Sequence, residues 1–406
     1  MELPIPLRRQ RTEVSPPIIV AGGGLAGATA ACVLARAGRE VLVVEREAQA
    51  TDKICGEFIS AEAQDYLGRI GIDLASLGGH PISALRLVRG TRIASSELPF
   101  AGLGLSRRVL DEALLRHAGQ CGAKILRGRT ATLKQDRKPI VLDVTGGEKL
   151  RTETLFLATG KIDLRGVRRH FAAPPDLVGF KLHLQLAPSQ RAALAGHVEI
   201  LLLRDGYAGI QMVENGRSNL CLLVERSRLQ RAGGNWDGLI EDLKRTEPHL
   251  RTRLAGAVPP ARPPLSIFRV PYGFVHAPGA DDPPGVFRLG DQMGVIPSFT
   301  GDGMSIALHS AVVAASHHLA GSTAADYHRR IRRDIASQIA RAGALYRIGS
   351  TAPGQALLMH LATIWPGGLR MAASLTRVPR WAVSRSIAGV LPDGAPPDVG
   401  LAEAAG

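Results

Sequence analysis

Apolar residues fall into short unbroken runs near the start of the chain and alternate with polar ones further along. The two patterns predict different layers. Residues 18–21 (Ile-Ile-Val-Ala) and 41–44 (Val-Leu-Val-Val) are unbroken apolar runs, as expected of strands buried on both faces. An Ala-rich stretch between them reads as a helix, and Glu45 closes the unit. Residues 60–70 read as a short helix, and residues 106–120 have helical periodicity through Val109, Leu110, Ala113 and Leu114. Residues 82–88, 92–98 and 123–126 read as strands, and two further β segments lead to residues 154–160. In a β-rich block at 177–224, Val178, Phe180, Leu182, Leu184 and Leu186 alternate with Gly179, Lys181, His183 and Gln185. That period of two predicts a sheet with one apolar and one polar face. Pro and Gly crowd residues 256–285, marking a return connection, and the pattern from Gly301 onward is mostly helical.

Composition narrows the class. At 406 residues, 45% hydrophobic and 21% charged, the chain is globular and long enough for two domains. Its net charge of +14, mostly arginine, favours anionic partners. Aromatic residues make up only 4% and no zinc-finger or RNP-like motif occurs, so no nucleic-acid partner is expected. Cys32, Cys55, Cys121 and Cys221 are widely separated, which predicts a reducing, cytoplasmic setting with no metal site. The lead over residues 1–17 carries Arg8, Arg9 and Arg11 without an apolar core, unlike a secretory signal. No run of ~18 apolar residues occurs, so the protein is expected to be soluble or at most peripheral.

The turn after the first strand carries the clearest chemistry. Gly22, Gly24 and Gly27 have the G-x-G-x-x-G spacing of a dinucleotide-binding turn. Gly22 permits the sharp turn, Gly24 lets backbone approach a pyrophosphate, and Gly27 lets helix and strand pack closely. The helix N-terminus offers free N–H groups to the phosphates. Glu45, followed by Arg46, stands where a carboxylate accepts from the adenosine ribose. A second segment, residues 286–308, delivers Gly290 and Asp291 from an apolar strand, then opens a long helix at Gly301-x-Gly303 and Met304. Asp291 suits the hydroxyls of a ribityl chain, and the helix N-terminus suits negative charge on a reduced flavin.

With both segments in place, the chain resembles the FAD-dependent oxidoreductase superfamily of p-hydroxybenzoate-hydroxylase-type monooxygenases, flavin halogenases and geranylgeranyl reductases, over roughly residues 16–330. Gly22, Gly24, Gly27 and Glu45 match its ADP-binding fingerprint, and Gly290 and Asp291 its flavin-binding Gly-Asp motif. Residues 106–111 resemble its R-x-x-L-D helix start, which puts Arg107 beside the cofactor. Lys53, Cys55, Gly56 and Glu57 resemble the K-x-C-G-E loop of the geranylgeranyl-reductase-like branch. Where the hydroxylases carry Asp-Gly, this chain reads Ala158-Thr-Gly-Lys161, and the archaeal Y-x-W-x-F-P signature and the halogenase W-x-W-x-I-P are missing.

Several residues admit two readings. Lys181 and His183 belong either to a solvated outer face or to a substrate site, with His183 as proton donor or base; Tyr207 and Gln211 are further candidates for the pocket. Cys55 either adjoins the flavin or merely packs, and Glu57 either bonds a ligand or caps the helix starting near Ser60. Apolar residues with a basic flank at 355–377 read as a helix closing the substrate domain or as an interfacial helix in peripheral contact with a membrane.

The resulting expectation is an α/β fold. A Rossmann-like FAD-binding domain is built from discontinuous segments, with an inserted β-sheet substrate domain and a helical C-terminal part. The boundaries are 16–165 (with a short β insertion near 80–100), 166–270 for mainly the substrate domain, 271–320 for the Gly-Asp segment and its helix, and 321–406. The resemblance implies FAD, with NADPH or NADH as electron donor. The expected activity is hydroxylation of an apolar aromatic or polyketide-like small molecule through a flavin C4a-hydroperoxide. The alternatives are a reductase saturating isoprenoid double bonds, and an electron-transfer or lipid-surface flavoprotein without substrate chemistry.

Overall fold

The computed structural model describes residues 17–388 except 168, 170–175, 259–261 and 280–281, so all but the last residue of the 1–17 lead lies outside the described residues. The chain opens with β1 (Ile18–Ala21), α1 (Leu25–Arg36) and β2 (Val41–Glu45). β3 (Phe58–Ile59) and α2 (Ala61–Ile70) precede a long hairpin of β4 (His80–Arg89) and β5 (Arg92–Gly104). α3 (Arg107–Gln120) leads through β6 (Lys124–Arg127) to a meander of β7 (Ala131–Gln135), β8 (Ile140–Val144) and β9 (Glu148–Thr152), then β10 (Leu155–Leu157). The meander has three strands, not two. β9 reads Glu-Lys-Leu-Arg-Thr, too polar to signal a strand until it pairs with β8.

The second block comprises β11 (Leu177–Leu184), α4 (Pro188–Leu194), β12 (Gly196–Leu203), β13 (Gly206–Met212) and β14 (Ser218–Glu225). α5 (Arg226–Arg231), α6 (Trp236–Thr246), α7 (Pro248–Arg253) and β15 (Leu265–Phe268) follow. β16 (Val286–Arg288) returns to the first block. α8 (Gly303–Leu319), α9 (Ala324–Gly349), α10 (Ala352–Ile364), α11 (Gly367–Leu375) and α12 (Arg380–Ile387) complete the described chain.

β16-β10-β1-β2-β6 form a parallel sheet whose central strands β10, β1 and β2 are covered on both faces, which is why these three read as unbroken apolar runs. On one side Val20 and Val43 pack under α1, α3 and α8. On the other, Ile19 and Ala21 meet Ile140 and Leu142 of the meander. α1 and α8 are both rich in alanine, so their backbones pack closely where β1 and β16 end. Local signals fix many helix ends: Ser60 and Ser106 cap α2 and α3, Gly71 ends α2 at φ +97°, and Thr323 with Asp326 forms a capping box on α9.

The second sheet has eight strands in the order β15-β11-β14-β13-β12-β4-β5-β3. β4 pairs in parallel with β12, Ile200 opposite Leu87, so the short β insertion and the substrate block form one continuous sheet. Its outer face packs on α6 and α7 through Leu220, Leu222, Leu239, Leu243 and Leu250. Its inner face, carrying Lys181, Tyr207 and Gln211, is turned toward the first domain. The solvated-face reading of β11 is therefore corrected: Lys181 is only 1% exposed. A polar strand face looks the same in sequence whether it meets water or a buried carboxylate.

Candidate active site

The glycine turn is shaped by close approach. Gly22 has φ +105°, and a Cβ there would stand 2.5 Å from the Ala158 carbonyl oxygen. A Cβ on Gly27 would stand 1.8 Å from the Gly22 carbonyl oxygen, so only glycine lets α1 start here. Gly24 differs: it faces the cavity, and the nearest atom to an added Cβ is Arg107 Nη2 at 3.5 Å. The backbone N–H groups of the α1 N-terminus and the Arg107 guanidinium thus converge on one spot, with room for an anion. Arg107 is fixed by a bidentate bond to Asp111, at 2.8 and 2.9 Å. Glu45 accepts from Gly23 N at 2.6 Å and from Glu47 N at 3.0 Å, which holds its carboxylate at the cavity edge with lone pairs to spare. Arg46 lines the same rim and pairs with Glu47.

β16 delivers the opposite side of this cradle. Gly290, at φ +56°, donates its N–H to Ser310 Oγ and sits against Ala26 and Ala307, where α1 and α8 meet. Asp291 lies on the cavity wall, 3.1 Å from Lys161 Nζ. Lys161 ends the segment that departs from the hydroxylase motif, so the departure places a cation on the Gly-Asp aspartate. The buried hydroxyl of Thr159, beside it on the wall, has no protein partner. Gly301 needs its φ of +67°, and a Cβ there would meet the Phe58 ring at 2.7 Å. Gly303 and Met304 open α8 toward the cavity. Asp302 precedes them, wholly buried. It accepts from Val378 N at 3.0 Å and lies 3.4 Å from Arg377, and burial pushes its carboxyl up to about 7. An unobstructed Gly24, an anchored guanidinium, two carboxylates on the rim and an orphaned hydroxyl fit a dinucleotide cofactor.

Residues 15–158 match the family model described as "FAD binding domain". The chain is 27% identical over 224 residues to menaquinone reductase of Mycobacterium tuberculosis, covering 50% of this chain and 53% of that one. It is 35% identical over 109 residues to digeranylgeranylglycerophospholipid reductase 1 of Methanopyrus kandleri, covering 27% and 28%. It is 29% identical over 160 residues to ubiquinone hydroxylase UbiL of Rhodospirillum rubrum, covering 36% and 37%. Over these stretches the chain is similar to FAD-dependent oxidoreductases. It spans about half the length, or less, of these curated relatives. The fold is shared with the flavin-dependent brominase Bmp2, with a TM-score of 0.74 at 15% identity, covering 92% of this chain and 97% of that one.

The Lys53–Glu57 loop closes over the cradle, and one buried carboxylate anchors it. Glu57 is fully buried at φ +61°, a backbone state that costs a non-glycine residue on the order of 1 kcal/mol. Its Oε1 accepts from Arg107 N at 2.8 Å and from the Lys181 ammonium, and its Oε2 accepts from His183 Nε2 at 2.6 Å. Its carbonyl accepts from Gln211 Nε2 at 2.8 Å, and Asn219 Nδ2 bonds the carbonyls of Cys55 and Gly56 at 3.0 and 2.8 Å. The inner face of the second sheet therefore grips the loop that presents Lys53, Cys55 and Gly56 to the cavity. Two expectations are corrected. Glu57 does not cap α2, since Ser60 does so. Lys181 and His183 stand behind the loop, where they hold its Glu57 carboxylate, and not on the cavity wall.

The cavity, about 840 Å³, runs from this cradle across the second sheet to the C-terminal helices. Leu87, Ile200 and Leu202 form one wall of the distal half; Leu358, Leu369 and Ala373 form the other. Every carboxylate on the wall (Glu45, Asp52, Glu57, Asp163 and Asp291) belongs to the cofactor cradle, and no imidazole lines the cavity among the described residues. Tyr207 does face it. Its hydroxyl lies 2.8 Å from Ser298 Oγ and 3.3 Å from the Tyr272 hydroxyl, and Tyr272 also bonds Ser298. Burial raises both phenols above their ordinary value, so both stay protonated O–H donors. Tyr272, Ser298 and Arg377 escaped the sequence reading because they lie in a Pro/Gly-rich connection and near the far end of the chain. Cys32 and Cys121 approach to 3.1 Å between α1 and α3, and burial pushes the Cys32 thiol up to about 12.

Proposed function

We propose that this chain is an FAD-dependent reductase that saturates carbon–carbon double bonds in a long-chain, isoprenoid-type lipid. The observation that carries this reading is the form of the cavity. It is long and apolar, and its wall carries a linked trio of O–H groups, those of Tyr207, Tyr272 and Ser298. Bound reduced FAD supplies a hydride. Saturation then needs one proton delivered to the second alkene carbon, and Tyr207 or Tyr272 holds that proton on a phenol oxygen inside the cavity. Ser298 links the two phenols, and Lys161 lies near enough to Tyr272 to work against the rise caused by burial. The Glu57 anchor keeps the Cys55–Gly56 backbone against the ring, and the apolar walls keep water away from the reacting bond. The named substrates of two of the relatives, a menaquinone and a digeranylgeranyl lipid, carry prenyl chains of the kind such a cavity accepts. NADPH or NADH is proposed as the electron donor.

The second reading is hydroxylation of an aromatic or polyketide-like molecule. It is supported by the similarity to ubiquinone hydroxylase. It is disfavoured because, among the described residues, no carboxylate or imidazole lines the distal cavity to take a proton from a phenolic substrate.

One experiment separates the two. FAD-loaded protein is reduced anaerobically with NADPH, NADH or dithionite, then mixed with a polyprenyl lipid with and without oxygen. The expected result is anaerobic flavin reoxidation with a gain of two hydrogens per lipid double bond. Tyr207→Phe combined with Tyr272→Phe should slow it about a hundredfold without changing FAD affinity. Product formed only with oxygen and carrying one added oxygen atom would replace this reading by the second.

A further inference from the structure

α10 is apolar on two opposite sides, with His360 and Thr363 its exposed polar side chains. Gln355, Met359 and Ala362 are buried, the last two against Leu87 and Leu202 of the second sheet, and Leu358 lines the cavity. On the opposite side Leu357, Leu361 and Ile364 recur at helical spacing, and they and Trp365 are each between 43% and 63% exposed. α11 continues the surface with Met371 and Leu375, also exposed, while Leu369 and Ala373 of the same helix line the cavity. α10 contains no Asp, Glu, Lys or Arg. A contiguous apolar surface of this kind on a folded protein marks a contact.

The surrounding charge identifies the contact. No acidic residue occurs between Asp334 and Asp393, whereas Arg347, Arg370, Arg380 and Arg385 in that stretch are all exposed. Exposed Trp and Leu accompanied by exposed arginines in the same stretch of chain suit the boundary between lipid acyl chains and anionic headgroups. Among the described residues, no helix is long and apolar enough to cross a membrane. The surface is therefore suited to lie on a leaflet and not to span it.

We infer that α10 and α11 form a docking surface for an anionic lipid membrane. Their outer side chains sink into the leaflet, and their inner side chains form the wall of the cavity through which a membrane-borne chain reaches the cofactor. The purpose of this surface rests on the lipid-reductase reading, but its existence does not. A membrane that binds the protein without any lipid reduction would refute the reaction and leave the docking intact.

The test uses FAD-loaded full-length protein and sedimentation with vesicles of phosphatidylcholine alone or mixed with phosphatidylglycerol. Binding is expected only to the mixed vesicles. It should weaken in high salt, and brominated lipid should quench fluorescence that Trp365→Phe removes. Replacing Leu361 and Ile364 with serine should lower vesicle partitioning at least tenfold while leaving the melting temperature and FAD content unchanged, because both side chains are exposed. Two results would overturn the proposal. One is equal binding of wild type and the double-serine variant. The other is no vesicle binding together with self-association that the double-serine variant abolishes, which would make this face an interface between copies of the chain.

Discussion

Glu57→Gln keeps the shape of the side chain, removes its charge and leaves one acceptor oxygen where the carboxylate had two. In the wild type those oxygens face the Arg107 N–H, the Lys181 ammonium and the His183 Nε2–H, and Lys181 is only 1% exposed. The glutamine amide must turn an N–H toward at least one donor, and Lys181 loses its counter-charge. Breaking a buried pair by removing one partner costs about 3–5 kcal/mol. The expected loss at pH 7 is thus about 3–5 kcal/mol, measured by denaturant unfolding of apo and FAD-saturated protein.

Adding Lys181→Met removes the stranded charge and should recover more than half of the loss. FAD retention should fall in the single variant, because the Cys55–Gly56 backbone loses its anchor. A loss below about 1 kcal/mol, or Lys181→Met costing the same with Glu57 present or absent, would refute the anchor.

Three other predictions follow from the cradle. Gly24→Val fills the open space before Arg107 and should give a folded, colourless protein; stoichiometric FAD in this variant would disprove the pyrophosphate assignment. Asp291→Ala removes a charge-assisted hydrogen bond of roughly 1.5–3 kcal/mol and should weaken FAD binding ten- to a hundredfold. The fold should persist because Gly290 N still bonds Ser310 and the residue 291 carbonyl still bonds Arg169; unchanged affinity with a lower melting temperature would remove Asp291 from the site. Burial raises Asp302 to about 7, so folded protein holds a proton there that the unfolded chain releases near pH 4. The stability this contributes is fully present below pH ~4 and is lost as pH rises through about 7, at up to roughly 1.4 kcal/mol per unit. Asp302→Asn should therefore gain on wild type in melting temperature from pH 4 to pH 8, and a constant gap would contradict the assignment.

The sequence by itself determined the first half of the cofactor cradle, because its glycines and its carboxylate lie in one local unit. Gly22, Gly24, Gly27 and Glu45 lie within one strand-turn-helix-strand unit, and the carbonyl that forbids a side chain at Gly27 belongs to Gly22, five residues away. The helix caps and the alternation along β11 were legible for the same reason. Only the tertiary structure decided what the alternating polar face meets. Lys181 and His183 face a carboxylate more than a hundred residues earlier in the chain, and no period or spacing encodes that distance. The same holds for the pairing of β4 with β12, for the hydroxyl trio that joins β13 to the Pro/Gly-rich connection and the loop before α8, and for Arg377 on Asp302. A polar side chain on a strand satisfies the local pattern equally well in water or in the core. Burial of a partner charge, which depends on the whole fold, is what separates a solvated lysine from one that holds an active-site loop in place.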